Sequence, residues 1–423
     1  MKKVLIISYY WPPAGGSGVQ RWLKFSKYLP SYGWKPFIYT PKNPYFEIKD
    51  VDLLKDIPNE AEIWNYPIWE PYAIKEKLFG NDRKSQSAGV IDTKKSLKNR
   101  FLNWIRGNFF IPDPKVYWIK PSIRFLLSKI KKNGIEHVIT TGPPHSMHLI
   151  GLGLKDKDPH LKWIADFRDP WSEVDLLNEF HLSSFSYKKH KKLERKVLEK
   201  ADIVLTVSET WKNDLKRLGG KNVKLVTNGF DADDFQKTPR DNQKFIIGHY
   251  GLLNHLRNPK NLWKVLDNLC KDNADFNNKL ELHLSGNIDS DVLDEIKSYS
   301  YIGSKIKHLG YLSHKKVLKE YNNASVLLLL LFNSKSGAGN YPAKIFEYLA
   351  AKRGILAFGP KNSDVKNLIH KTKSGIYFSY DEIDLKSKLL EFFKISKKIN
   401  SEYIDCFSRK KLTKDLSSLL NKL

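Results

Sequence analysis

The stretch "SVLLLLLFNSKSGAGNYPAKIFEYLAAKRGILAFG", residues 325–359, decides the fold. An unbroken apolar run ends at Phe332, a glycine-containing loop leads into a helical stretch, and a second apolar run follows directly after Arg353. A strand that is apolar at every position lacks the alternation of a half-exposed sheet, so both its faces are covered, as in a parallel sheet flanked by helices. Strand, crossover helix and strand form the unit from which such a sheet is built. The helix carries an oddity, because Lys344 falls in its first turn with Glu347 three residues later. Helix starts expose unsatisfied N–H groups and the positive end of the dipole, so a cation there is unfavourable unless an anion arrives.

The same unit repeats on both sides. The second half also contains "KFIIGHYG", "LELHLSG", "IKHLGY" and "GIYFS"; the first half contains "KVLIIS", "PFIYT", "EHVITT", "KWIADF", "DIVLTV" and "VKLVTN". Helical periods separate them; from about Gly18, for instance, Val19, Trp22, Leu23 and Leu29 share one face. Two such series predict two doubly wound α/β domains, consistent with a 423-residue chain that exceeds the usual size of one core. The polar segment "DADDFQKTPRDNQ", 231–243, reads as a linker, which sets domains at 1–232 and 244–396. The tail 397–423 ends in an amphipathic helix outside the second series, expected to pack back on the first domain.

Composition narrows the function. A hydrophobic share of 41% and an aromatic share of 13% describe a globular chain. Cys270 and Cys406 are the only cysteines, which excludes a disulfide framework and a cysteine-built zinc site and fits a reducing cytoplasm. "MKKVLIISYYWPP" is short and ends in tandem prolines, so it reads as a first strand rather than a signal peptide. The longest apolar run, 325–332, falls well short of the ~20 residues of a membrane span.

Basic residues exceed acidic ones by 72 − 46, or +26, which points to an anionic partner. They concentrate at 94–106 and 188–200 without any zinc-finger, basic-zipper or RNA-binding signature, so no specific nucleic acid is expected. A basic insertion at about 80–110 sets Phe101, Leu102, Trp104 and Ile105 among Lys98, Arg100 and Arg106. That mixture suits a helix on an anionic membrane surface, or an ordinary packed helix with a solvated face.

Ligands of doubly wound sheets bind beyond the carboxyl ends of the strands. After the first strand, "YYWPPAGGSGVQR" offers Gly15, Gly16 and Gly18 before a helix start suited to phosphate. The dinucleotide pattern fails, because Arg21 stands where a third glycine belongs and "PFIYTPKN" supplies no acidic residue for a ribose; NAD is not expected. "TTGPPHSMH", 140–148, sets His145 just past a strand end, where imidazole can bond a sugar hydroxyl or phosphate, and His148 a turn further on. "ADFRDPW", 165–171, brings Arg168 and Asp169 to another strand end, either as an ion pair or as groups for an anion or acceptor; Asp166 or Asp169 can bond hydroxyls. "TNGFD", 227–231, contributes Asn228 and Gly229 in a turn.

In the second domain "HYGLLNHLRNPKNL", 249–262, places Gly251 after a strand and Arg257 before a helix, where guanidinium can grip phosphate oxygens. Lys344 and Glu347 read either as an i,i+3 salt bridge or as ligands of a diphosphate and a ribose. The carboxylates of "DKD", 156–158, and "DSD", 289–291, do not form a metal-binding pair, and no metal site is expected.

Together "AGGSGVQR", "DFRDPW", "TNGFD", "HLGYLSHKKVLKEYNNASVLLLL" and "PAKIFEYLAAKRGILAFG" resemble glycosyltransferase family 4, in its Pro-x-Lys-x-x-Glu-Tyr branch. The resemblance implies a GT-B fold, two Rossmann-like domains facing a cleft, and retaining transfer of a sugar from a nucleoside-diphosphate sugar without a metal or other cofactor. It implies His145, Arg257 and Lys344 as catalytic residues, and Gly15, Gly16, Gly251, Arg257, Lys344 and Glu347 around the donor. Arg168, Asp169 and Asn228 fall on the acceptor side. Two departures stand out: Gly339 occupies the place of the family's first glutamate, and Leu252 that of an arginine, a contact Arg257 can take over. A nucleotide-sugar 2-epimerase or a non-catalytic nucleotide-sugar-binding protein would share this architecture. The expected setting is a cytoplasmic enzyme, peripheral on the inner face of the membrane, acting on a lipid-linked acceptor for surface polysaccharide.

Overall fold

The structure, a computed structural model, describes residues 1–46, 48–70, 97–235, 243–334 and 336–423. Much of the basic insertion and most of the 231–243 linker lie outside the described residues. The chain forms two units, one of Met1–Thr227 with Arg409–Leu423, the other of Asn228–Ser408. The first unit's continuous stretch therefore ends at Thr227 rather than 232, and the returning segment starts at Arg409 rather than 397.

The first unit holds seven strands: β1 Lys2–Ile7, β2 Trp34–Pro41, β3 Glu62–Tyr66, β4 His137–Gly142, β5 Lys162–Phe167, β6 Ile203–Thr206 and β7 Val223–Leu225. Their order is β3-β2-β1-β4-β5-β6-β7, and every pairing is parallel. Consecutive residues of β1 explain its unbroken apolar run, since Leu5 and Ile7 enter the core on one face and Val4 and Ile6 that on the other. β3 is the strand the sequence reading misses. It is an edge strand with only Trp64 buried, so it carries no apolar run to be read.

The second unit holds β8 Phe245–Tyr250, β9 Leu280–Ser285, β10 Ile306–Gly310, β11 Val326–Leu330, β12 Gly354–Gly359 and β13 Gly375–Ser379, in the parallel order β10-β9-β8-β11-β12-β13. Here Val326, Leu328 and Leu330 face one core and Leu327, Leu329 and Leu331 the other. In each sheet the order reverses once, between β1 and β4 and between β8 and β11, which are the positions where such sheets bind ligands.

The Arg409–Asn421 helix lies against the Ser17–Tyr28 helix of the first unit. It delivers Leu412, Leu416 and Leu420, at helical spacing, into the core beneath Val4 and Ile6.

Candidate functional site

The second unit gathers its polar chemistry at the β8/β11 reversal. β8 ends in Tyr250, and the Gly251 N–H is held by the Ser285 carbonyl at 2.7 Å. The loop after β11 runs into the Ala343–Ala351 helix, with Pro342 as N-cap, no side-chain acceptor on its first N–H groups and no acidic residue in its first turn. Lys344 leans back so that its ammonium lies over Gly251; a Cβ on that glycine would collide with Nζ. A side chain at 251 would therefore displace the lysine tip, while no special backbone angle demands glycine there.

The i,i+3 salt bridge, one of the two readings of the pair, is not made. Glu347 turns instead to His314, whose Nε2 lies 3.0 Å from Oε1, and to Tyr321, whose hydroxyl donates to Oε2 at 3.0 Å. Burial pushes the Glu347 carboxyl upward, but the His314 and Tyr321 contacts and the Lys344 charge outweigh it, so it is held below the usual range. Lys344 is left without an ion pair or hydrogen bond among the described residues. Burial is the main reason its pKa is pushed down to about 8, and Arg257 adds to the shift while Glu347 opposes it.

Arg257 comes from the short turn before the Lys260–Asp272 helix. Its guanidinium lies 3.7 Å from the centroid of the Phe332 ring, and its buried Nε has no hydrogen-bond partner among the described residues. Burial lowers its pKa to about 10, against the pull of Tyr380. Asn258 anchors this turn, accepting from Trp263 Nε1 at 2.6 Å and donating to Glu295 at 2.9 Å. His249 sets its two ring nitrogens 3.0 and 3.3 Å from the Leu328 and Leu252 carbonyls. Burial and the Lys344 and Arg257 charges lower it to about 4, so the ring is neutral and donates to only one of them. Two cations that repel one another, a neutral imidazole and an uncapped helix start give this place the chemistry that suits an anion.

The first unit gathers its own groups at the β1/β4 reversal. Arg21 explains itself as a buried clamp: Nε and Nη2 pair with both oxygens of Asp166 at 3.1 and 2.9 Å, while Nη1 and Nη2 reach the Thr227 and Val226 carbonyls. Asp166 also accepts from Trp22 Nε1 and Thr141 Oγ1. It is therefore engaged within the fold rather than open to hydroxyls as expected. Arg168 donates to the carbonyls of Gly142, Gly18 and Pro143 at 3.1, 2.7 and 2.6 Å, which ties three strand-end loops together and uses most of its fork. Asp169 makes no hydrogen bond or ion pair among the described residues, and burial holds its pKa above the usual value.

His145 was expected to be catalytic, but its imidazole is enclosed. It stacks on Trp171 at 5.0 Å, its Nδ1 is buried without a partner, and burial, followed by the neighbouring His148, His190 and Arg168 charges, holds it neutral. Trp163 donates to Thr140 Oγ1, which also lies 2.9 Å from His148 Nδ1. His148 Nε2 converges with His145 Nδ1 on the space where a Cβ of Gly142 would stand. The pair positions the loop rather than presenting a free base.

Gly15 is held by packing: its N–H donates to the Ile48 carbonyl, and a Cβ would lie 2.7 Å from Ile48 Cγ2, so this N–H is not open to phosphate. Gly16 adopts φ 88° as N-cap of the Ser17–Tyr28 helix, a conformation that favours glycine. Asn228 belongs to the second unit, where its amide donates to the Tyr341 carbonyl at 3.3 Å, beside the start of the Lys344 helix. Sequence reasoning missed His249, His314, Tyr321 and Phe332. Each stands within a quoted motif, but only the fold shows that they surround one helix start. Among the described residues no group of His, Cys, Asp or Glu side chains is arranged to hold a metal ion.

No family model matches the chain, and no curated protein matches it. Solved structures match it over its whole length. Sucrose-phosphate synthase from Thermosynechococcus elongatus is 12% identical, with a TM-score of 0.65 over 100% of this chain and 99% of that one. An E. coli trehalose-6-phosphate structure bound with UDP-2-fluoro glucose is 9% identical, with a TM-score of 0.63 over 100% and 99%. A protein assigned as a UDP-N-acetylglucosamine 2-epimerase from Listeria monocytogenes is 11% identical, with a TM-score of 0.58 over 100% and 98%. The shared pattern of two Rossmann-like units in one chain is the GT-B fold.

Proposed function

We propose that the chain is a retaining glycosyltransferase of the family 4 type, taking a sugar from a nucleoside-diphosphate sugar and passing it to a lipid-linked saccharide in surface polysaccharide synthesis. One observation carries the reading: the Lys344 ammonium, unpaired among the described residues, sits over Gly251 at the β8/β11 reversal, beside an uncapped helix start and within the field of Arg257. A diphosphate supplies the missing countercharge. As the bond from the anomeric carbon to the diphosphate oxygen breaks, negative charge builds on the leaving group. Donors already fixed in a dry site then lower the barrier without reorganising. In this reading the two cations and the helix N–H groups carry that charge, and no metal ion is called for.

Glu347, oriented by His314 and Tyr321 and kept ionised, accepts from the ribose hydroxyls of the donor. In the first unit Asp169 and the remaining N–H groups of Arg168 serve the acceptor side, while His145 and His148 hold their loop in place. The expected setting remains the cytoplasmic face of a membrane, and among the described residues no helix is long and apolar enough to cross one.

The test is a thermal-shift and hydrolysis screen with UDP-, GDP-, ADP- and dTDP-sugars, repeated with Lys344→Ala and Glu347→Ala. At least one donor should stabilise the protein, with Lys344→Ala lowering turnover and Glu347→Ala chiefly weakening donor affinity. Stabilisation by none of them defeats the assignment. Release of a 2-epimerised sugar without any acceptor would replace transfer by epimerisation.

A further inference from the structure

We propose that two helices of the first unit, Leu97–Phe109 and Ser184–Lys200, form one face that docks on an anionic lipid bilayer. The proposal stands independently of the donor site, which lies in the other unit. Its first observation is a row of apolar rings turned outward. Phe101 is 59% exposed, Phe109 67% and Phe185 77%, with Trp104 beside them also exposed. Phe101 and Trp104 stack at 6.1 Å, and Trp104 meets Phe109 edge-on at 5.7 Å, so the rings of the first helix form a continuous ladder.

The second observation joins the helices. The Ser183 N–H donates to Asn108 Oδ1 at 2.8 Å, and Ser186 Oγ reaches the Asn108 carbonyl at 3.4 Å, which sets the start of the second helix, with Phe185, beside the Asn108–Phe109 end of the first. Gly107 fits against Phe180 and Leu182, where a Cβ would lie 2.5 Å from the Phe180 side chain. The arrangement is therefore packed and fixed.

The third observation is charge. Lys188, Lys189, Lys191, Lys192, Arg195 and Lys196 are exposed along the second helix, and the first helix has Arg100 exposed and no acidic residue at all. Glu194 is turned inward, accepting from the Ser172 N–H, and Glu199 is paired with Arg195. Asp175 and Glu179 in the neighbouring turn leave the face strongly basic. Apolar rings beside a lysine row match a bilayer, whose acyl region takes the rings while its anionic headgroups meet the ammonium groups. Single-stranded nucleic acid also pairs with aromatic and basic residues, but it stacks its bases on separate ring faces, and here Phe101, Trp104 and Phe109 lie against one another.

The experiment is co-sedimentation of the full chain with phosphatidylcholine vesicles with and without phosphatidylglycerol. The chain should partition onto the anionic vesicles. Combined Phe101→Ser, Phe109→Ser and Phe185→Ser should weaken that partition at least about tenfold, and Lys188→Glu with Lys192→Glu should remove the preference for phosphatidylglycerol. Both variants should keep the wild-type melting temperature and the same stabilisation by a nucleotide sugar, which separates loss of docking from misfolding and from failure of the donor assignment. Unchanged partition of the ring variant, or equal partition onto both vesicle types by the wild type, overturns the proposal. So does vesicle binding by neither protein together with ring-dependent binding of single-stranded RNA.

Discussion

At the scale of the residue, Lys344 is a group whose surroundings favour function over stability. A desolvated ammonium without a partner among the described residues costs the fold free energy, so Lys344→Met should leave the ligand-free protein as stable or raise its melting temperature while weakening UDP binding. A charge-assisted contact is typically worth roughly 1.5–3 kcal/mol, so the loss of affinity should be about tenfold to a hundredfold. The pH dependence follows from the lowered pKa. Between about 8 and 10.5 the unfolded chain holds a proton that the folded lysine has released, so this group makes the ligand-free protein more stable as pH rises through that window. Binding a diphosphate draws the proton back. Calorimetry near pH 8 in buffers of different ionisation enthalpy should therefore register proton uptake with UDP, and a Lys344→Met protein should not. The oddity of a lysine in a first helical turn was legible in the sequence. Its freedom from Glu347 was not, because the partners that turn the carboxylate away lie 26 and 33 residues distant along the chain.

At the scale of the element, His148 in the Ser146–Lys157 helix and His283 on β9 should respond to acid in opposite directions. In the first unit, burial holds His148 at about 3, so the folded state resists a proton that the unfolded chain accepts below 6.5. Stability there falls as pH drops below 6.5. In the second unit, His283 on β9 lies 3.2 Å from Glu320 and 3.0 Å from Glu281. Burial lowers its pKa, but the two carboxylates outweigh this and raise it. Its contribution is full below 6.5 and is lost as pH rises through the raised folded value. His283→Asn should cost the second unit about 2 kcal/mol at pH 6 and less at pH 9, measured by urea unfolding. At this scale the sequence was most legible where strands are apolar on both faces, as in β1 and β11. β3 escaped because an edge strand with one buried side chain carries no such run. The Arg21–Asp166 clamp escaped for a different reason, since a buried ion pair 145 residues apart leaves no periodicity to read.

At the scale of the whole molecule, the Arg409–Leu423 segment belongs to the first unit, so the second unit is in effect an insertion within the first. Cutting the chain after Ser408 removes three buried leucines, Leu412, Leu416 and Leu420, each worth roughly 1.5–3 kcal/mol. Scanning calorimetry should then show the first unit's transition lost or strongly lowered, while the second unit keeps both its transition and its stabilisation by UDP. A single lowered transition for both would show that the units do not fold separately. The same connectivity bears on how the protein is made. Domains usually fold as they leave the ribosome, the amino-terminal one first. Here the amino-terminal sheet needs residues 409–423 to complete its core, whereas residues 228–408 are all translated earlier. Residues 228–408 can therefore complete their unit first, and until 409–423 emerge, the apolar surface around Val4, Ile6 and Trp22 lacks the leucines that cover it.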